Sequence, residues 1–115
     1  TAVHIALGRR RDLELCKTVT AEISPHFRTE QWTAETLERL RRHPMRIEGQ
    51  LFFDASHVPC RAGKPSSPKR VSVWEIHPVY SIDVCEFMSL RKCKPDSDVW
   101  TPLDKRADWQ EPPEG

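Results

Sequence analysis

Arg70-Val71-Ser72-Val73-Trp74-Glu75-Ile76-His77-Pro78-Val79 reads as a β-strand stopped by a proline. Successive side chains of a strand point to opposite faces. Val71, Val73, Glu75 and His77 therefore share one face, and Ser72, Trp74 and Ile76 share the other. A carboxylate and an imidazole two residues apart point the same way at the end of an apolar run. Such a pair serves either as part of a site or as a hydrogen-bonded pair that sets sheet register, and the stretch leaves both open. Pro78 has no N–H to give a ladder, so it is expected at an edge or at a kink between two sheet segments. Alternation resumes beyond it through Val79 to Val84.

Working back from this stretch, Met45 to Phe53 alternates with Met45, Ile47, Leu51 and Phe53 inward and Arg46, Glu48, Gln50 and Phe52 outward. Gly49 breaks the inward face, the mark of a bend or a close backbone approach. Ala2 to Leu7 is a short strand closed by Gly8 and the Arg9-Arg10-Arg11-Asp12 turn, and Leu13 to Ile23 is expected as the next. Lys17 interrupts that second strand, which points to a bulge or an edge. Thr29 to Arg42 is the one helical stretch, with Thr29 or Thr33 as cap and Ala34, Leu37 and Leu40 as a narrow apolar stripe. His43-Pro44 stops it. Residues 58–69, rich in proline and serine, read as a long loop. From Phe87 the pattern is lost, so residues 1–86 are expected as the domain and 87–115 as a poorly structured acidic tail.

The chain of 115 residues is one domain's worth of sequence, long enough for one modest core, with the charged and apolar balance expected of a soluble protein. No apolar run approaches the roughly 20 residues that cross a bilayer. A net charge of +1 hides a split. Residues 1–95 carry 16 Lys and Arg against 11 Asp and Glu, whereas residues 96–115 carry 2 against 6. A basic body permits nucleic-acid binding without demanding it. Cys16, Cys60, Cys85 and Cys93 show no zinc spacing and allow two disulfides, with the pairing open.

The element order is strand, strand, helix, strand, strand. An OB-fold barrel runs three strands, a helix and two strands, so the expected fold is mainly β with one helix, an OB-fold-like small barrel whose first strand is missing upstream. A small open antiparallel sheet covered by one helix is the rival. The motifs His4-Ile5-Ala6-Leu7, Glu22-Ile23-Ser24-Pro25 with Arg28, Trp32-Thr33, Arg46 through Asp54 with His57, and Arg70 with Trp74-Glu75-Ile76-His77-Pro78-Val79 give the chain a resemblance. It resembles a family of small bacterial proteins, largely uncharacterised, described as nucleic-acid-binding OB-fold proteins, some of them lipoproteins. The resemblance spans roughly residues 4–84, and the Trp-Glu-Ile-His-Pro block is its most specific part. It implies an OB-like fold, an exported location and nucleic acid as partner. The chain lacks the family's upstream strand and its lipid-attachment cysteine, so membrane anchoring does not carry over.

Two sets of residues are candidates for chemistry. Trp74, Arg70, Phe52, Arg46 and Lys69 suit a surface for single-stranded nucleic acid or another extended, oligomeric ligand, because bases stack on exposed aromatics while cations follow the phosphates. The rival placement puts Trp74 and Ile76 in the core. His4, Glu22, Asp54, His57, Glu75 and His77 lie in or at the ends of expected strands and would gather on one polar rim. No metal or other cofactor is required by the first set. On the second, His57, Glu75 and His77 suit a divalent metal that activates water on a phosphodiester. A purely structural hydrogen-bonded network is the third reading.

Overall fold

The computed structural model describes residues 3–10, 13–25, 32–61 and 69–105. Among these the chain is mainly β, with one α-helix and a five-stranded mixed sheet. The strands are β1 (Val3–Leu7), β2 (Val19–Ile23), β3 (Met45–Phe53), β4 (Trp74–Cys85) and β5 (Trp100–Pro102), and the helix α1 is Ala34–Arg39. Sheet order is β1-β2-β4-β3, with β5 also on β4. The β1–β2 and β4–β5 pairs are antiparallel, and β2–β4 is parallel. The order begins at β1 and ends at β3, so the sheet is open rather than closed into a barrel. The chain divides into two compact units, residues 1–27 with 48–80 and residues 28–47 with 81–115.

In the first unit the register decides which side chains meet. His4 lies opposite Glu22 and Ile5 opposite Ala21, while Thr20 and Ala21 of β2 align with Glu75 and Ile76 of β4. Cross-strand partners share a face. His4, Glu22 and Glu75 thus fall on one side, and Ile5, Ala21, Ile23 and Ile76 on the other. Ala21 and Ile23 are fully buried. β2 is shorter than its alternation implies. Leu15–Lys17 form a 3₁₀ turn, the Thr18 hydroxyl donates to the Leu15 carbonyl at 2.6 Å, and Cys16 is joined to Cys60. Cys16 and Lys17 therefore lie in a turn ahead of the strand, not within it.

β3 has the expected bounds, but Leu51 and Phe53 are 65% and 53% exposed rather than inward. β3 stands at the end of the sheet order, where the described residues supply no further strand beyond it. Gly49 makes the expected close approach. A Cβ there would overlap the Pro78 carbonyl oxygen and sit 2.5 Å from Ile76 Cγ2. Pro78 does not end its strand, since β4 runs through it. Along β4 the β2 register falls at Glu75 and Ile76 and the β5 register at Asp83–Cys85, so Pro78 lies between the two ladders.

In the second unit, Thr33 caps α1 by accepting from the Thr36 N–H at 3.1 Å. The helix ends at Arg39, short of the expected Arg42. The His43 N–H bonds the Leu40 carbonyl at 2.9 Å and its ring Nδ1 donates to the Cys85 carbonyl at 2.8 Å, turning the chain into β3. Trp32, Leu40, Ile82, Val84, Cys93 and Leu103 are its buried core. Residues 87–105 are not an unstructured tail. Cys93 is tied to Cys85, β5 pairs with β4, and Leu103 is fully buried. Single short apolar positions separated by turns carry no periodicity, which is why they escape a pattern reading. The expectations for Thr29, Arg11, Asp12, Trp109 and much of the 58–69 loop fall outside the described residues.

Gly49→Ala tests the close approach. Overpacking of this kind costs about 1–3 kcal/mol, so the urea midpoint falls while the denaturant slope stays unchanged.

Candidate functional site

Three strands of the first unit build one polar chain. Glu22 on β2 contacts His4 Nε2 across the β1–β2 register through one carboxylate oxygen. Its other oxygen lies 2.6 Å from His77 Nε2. His77 Nδ1 lies 3.1 Å from Glu75 Oε1, two residues back on the same face of β4. Glu75 Oε2 accepts from Arg70 Nη1 at 2.8 Å. The ring of Phe52 meets His77 edge-on at 5.2 Å. His4, Glu22, Glu75 and His77 are the part of the expected rim that comes together.

Hydrogen counting sets the chemistry of this chain. Both nitrogens of His77 face carboxylate oxygens, but a neutral imidazole carries one N–H. Both contacts are met by an imidazolium, by a protonated carboxyl, or by a cation in place of a proton. Glu22, Glu75 and His77 offer ligand atoms all within 4.8 Å of one another. Imidazole with carboxylates suits zinc or manganese. The same atoms, left alone, form a closed structural network.

Arg70 is a correction to the sequence reading. Expected on a ligand surface, it is fully buried, and Glu75 is 3% exposed beside it. A buried carboxylate requires a paired cation, and Arg70 supplies that instead of meeting phosphate. Its Nε and Nη2 are buried and find no hydrogen-bond partner among the described residues. Arg46 is likewise engaged. In the second unit its Nε and Nη2 donate to Asp83 Oδ2 at 3.0 and 2.8 Å, Nη1 donates to the Pro95 carbonyl, and the guanidinium lies 5.0 Å over the Trp100 ring. Lys69, Phe52 and Trp74 are exposed as expected. Phe53, read from sequence as core, instead stands exposed and edge-on to Trp74 at 5.1 Å. Adjacent aromatics at the end of β3 are the only local signal for it.

Asp54 and His57 form their own motif. Asp54 Oδ1 accepts from the Ser56 hydroxyl at 2.6 Å and the Ser56 N–H at 3.1 Å, and Oδ2 meets His57 Nδ1 at 2.5 Å. The Ser56 hydroxyl, then His57, hold the Asp54 carboxyl down at about 2. The Ser56 hydroxyl donates to Asp54, and the same oxygen lies 3.3 Å from His57 Nδ1. His57, expected beside Glu75 and His77, is absent from the converging ligand group.

Two outcomes are expected. Arg70→Ala strands a buried carboxylate and lowers stability by about 3–5 kcal/mol, whereas Arg70→Met with Glu75→Leu recovers most of it, by denaturant titration. The Asp54 carboxyl titrates near 2 by NMR, and His57→Ala raises that midpoint. Because the folded value is depressed, the turn's contribution is present above the unfolded carboxylate range and is lost as pH falls toward 2. A scan of protein-family models and searches of curated proteins and of solved structures find no match to this chain.

Proposed function

We propose that the chain is a binding module on an OB-like sheet, with single-stranded nucleic acid as its ligand. The observation that carries this reading is the Phe53–Trp74 pair, 53% and 46% exposed with ring centroids 5.1 Å apart. Large aromatics left in water at this density mark an interaction site, and every base has a face that stacks on them. Up to β4 the elements run strand, strand, helix, strand, strand, with the short β5 added after them, and the order up to β4 supports the OB-like reading. Such a fold with its first strand supplied from elsewhere would keep this sequence of elements. The exposed Lys69 supplies backbone charge, while Arg70 and Arg46 act as scaffolding. The two disulfides support an oxidising, exported location.

Fluorescence anisotropy with oligothymidylate tests it. Trp74→Ala weakens binding by about 1–3 kcal/mol, and Lys69→Gln reduces the salt slope by about 1. Binding that is absent, or indifferent to both changes, removes the proposal.

The convergence of Glu22, Glu75 and His77 favours a second reading, a metal-dependent phosphodiester hydrolase with Glu22 in the place expected for His57. A divalent ion held there would activate water. Calorimetry with manganese or zinc then shows one site that Glu22→Gln abolishes, together with metal-stimulated cleavage of single strands. Heat-silent titrations and inert substrate end this reading without touching the first.

A further inference from the structure

The second unit carries an exposed apolar tip that neither reading uses. Cys85 and Cys93 close a loop of seven residues, Glu86 to Lys92. Within it Phe87, Met88 and Leu90 are 38%, 49% and 57% exposed. Arg91 and Lys92 follow at once, with Lys94 just outside the ring, and all three are exposed. The Lys92 ammonium stands 5.6 Å over the Phe87 ring, so charge and apolar surface occupy one place.

The loop is held before anything binds it. The Lys92 and Cys93 N–H groups bond the Ser89 and Leu90 carbonyls, each at 3.0 Å, and the Glu86 N–H bonds the Val99 carbonyl at 2.9 Å. The disulfide and these bonds leave little to order on contact. An aromatic ring, a thioether and a branched chain side by side need no shaped cavity if they enter a fluid boundary. Amphipathic surfaces with Phe and Leu on one side and Lys and Arg on the other lie at the headgroup–acyl boundary. Long basic side chains keep their charge in the headgroups while their stems cover apolar surface. Charge selects the lipid. Inside the ring two cations stand against the single Glu86, and Lys94 adds a third, while Asp96 and Asp98 lie beyond the closure.

We propose that the Cys85–Cys93 loop is a membrane-contact loop that seats Phe87, Met88 and Leu90 at the surface of an anionic bilayer. Contact is peripheral: among the described residues no helix is long and apolar enough to cross a membrane. The proposal stands apart from the nucleic-acid and metal readings, which rest on the first unit.

Co-sedimentation with phosphatidylcholine vesicles, with and without added phosphatidylglycerol, tests it on the full chain. The wild type pellets with the anionic vesicles only. Met88→Asp with Leu90→Asp removes binding, and Arg91→Gln or Lys92→Gln each weakens it about five-fold. These side chains are exposed, and an unchanged melting temperature verifies each variant's fold. Hydrogen exchange on the wild type gives a second readout, with vesicles protecting residues 87–92. A wild type that ignores anionic vesicles, including one whose loop instead captures a protein, overturns the proposal. So does pelleting that survives the aspartate pair, or binding that is equal on neutral vesicles.

Discussion

The buried ion pair between Arg70 and Glu75 is the constraint on which the polar face of the first unit depends. An isolated carboxylate taken out of water costs several kcal/mol even after relaxation. β4 therefore accepts Glu75 on a covered face only with a cation already beside it. Arg70 is positioned for that by its main chain. The Val71 N–H bonds the Thr18 carbonyl at 2.9 Å, and the Cys60 N–H bonds the Arg70 carbonyl at 2.9 Å. Cys60 is itself one half of the Cys16–Cys60 disulfide and Thr18 lies two residues from the other half, so the cross-link and the ion pair hold one another in place. With one Glu75 oxygen committed to Arg70, the other is left for His77, and His77 in turn reaches Glu22.

This wiring explains why one cluster supports both a structural and a chemical interpretation. Every carboxylate oxygen in it has a partner, as buried polar networks require. The shortfall lies in the hydrogens, because His77 faces two acceptors and, when neutral, has one donor. A proton or a metal ion closes that account equally well. The aromatic pair Phe53–Trp74 owes nothing to this balance, and its exposure is the ground on which we propose ligand binding ahead of hydrolysis.

The second unit is organised by a different cation. Arg46 forks onto Asp83, covers Trp100 and reaches the Pro95 carbonyl, joining β3, β4 and the segment before β5. With the Cys85–Cys93 bond it gives order to residues whose apolar content is too sparse to fold by periodicity. A planar five-donor guanidinium suits several acceptors at once, which lysine could not match.

Much of the framework was legible in residues 3–85. Alternation set the bounds of β3, Gly49 announced its close contact, Thr33 its cap, and the two-residue spacing of Glu75 and His77 put them on one face. These are local rules, decided by backbone geometry within a few residues. What the chain does with its charges was not legible. Arg70 and Lys69 are neighbours with the same sign, yet one is buried and the other exposed, because only the fold brings a buried carboxylate to the first. Leu51 and Phe53 alternate like core residues but face solvent, since burial depends on whether another strand covers that end of the sheet. Cysteine pairing and the partner of Arg46 rest on separations of 37 residues or more, except for the short Cys85–Cys93 link. Pattern within a strand is a property of the sequence; which strand lies beside it, and so which charge is met and which side chain is covered, belongs to the tertiary structure alone.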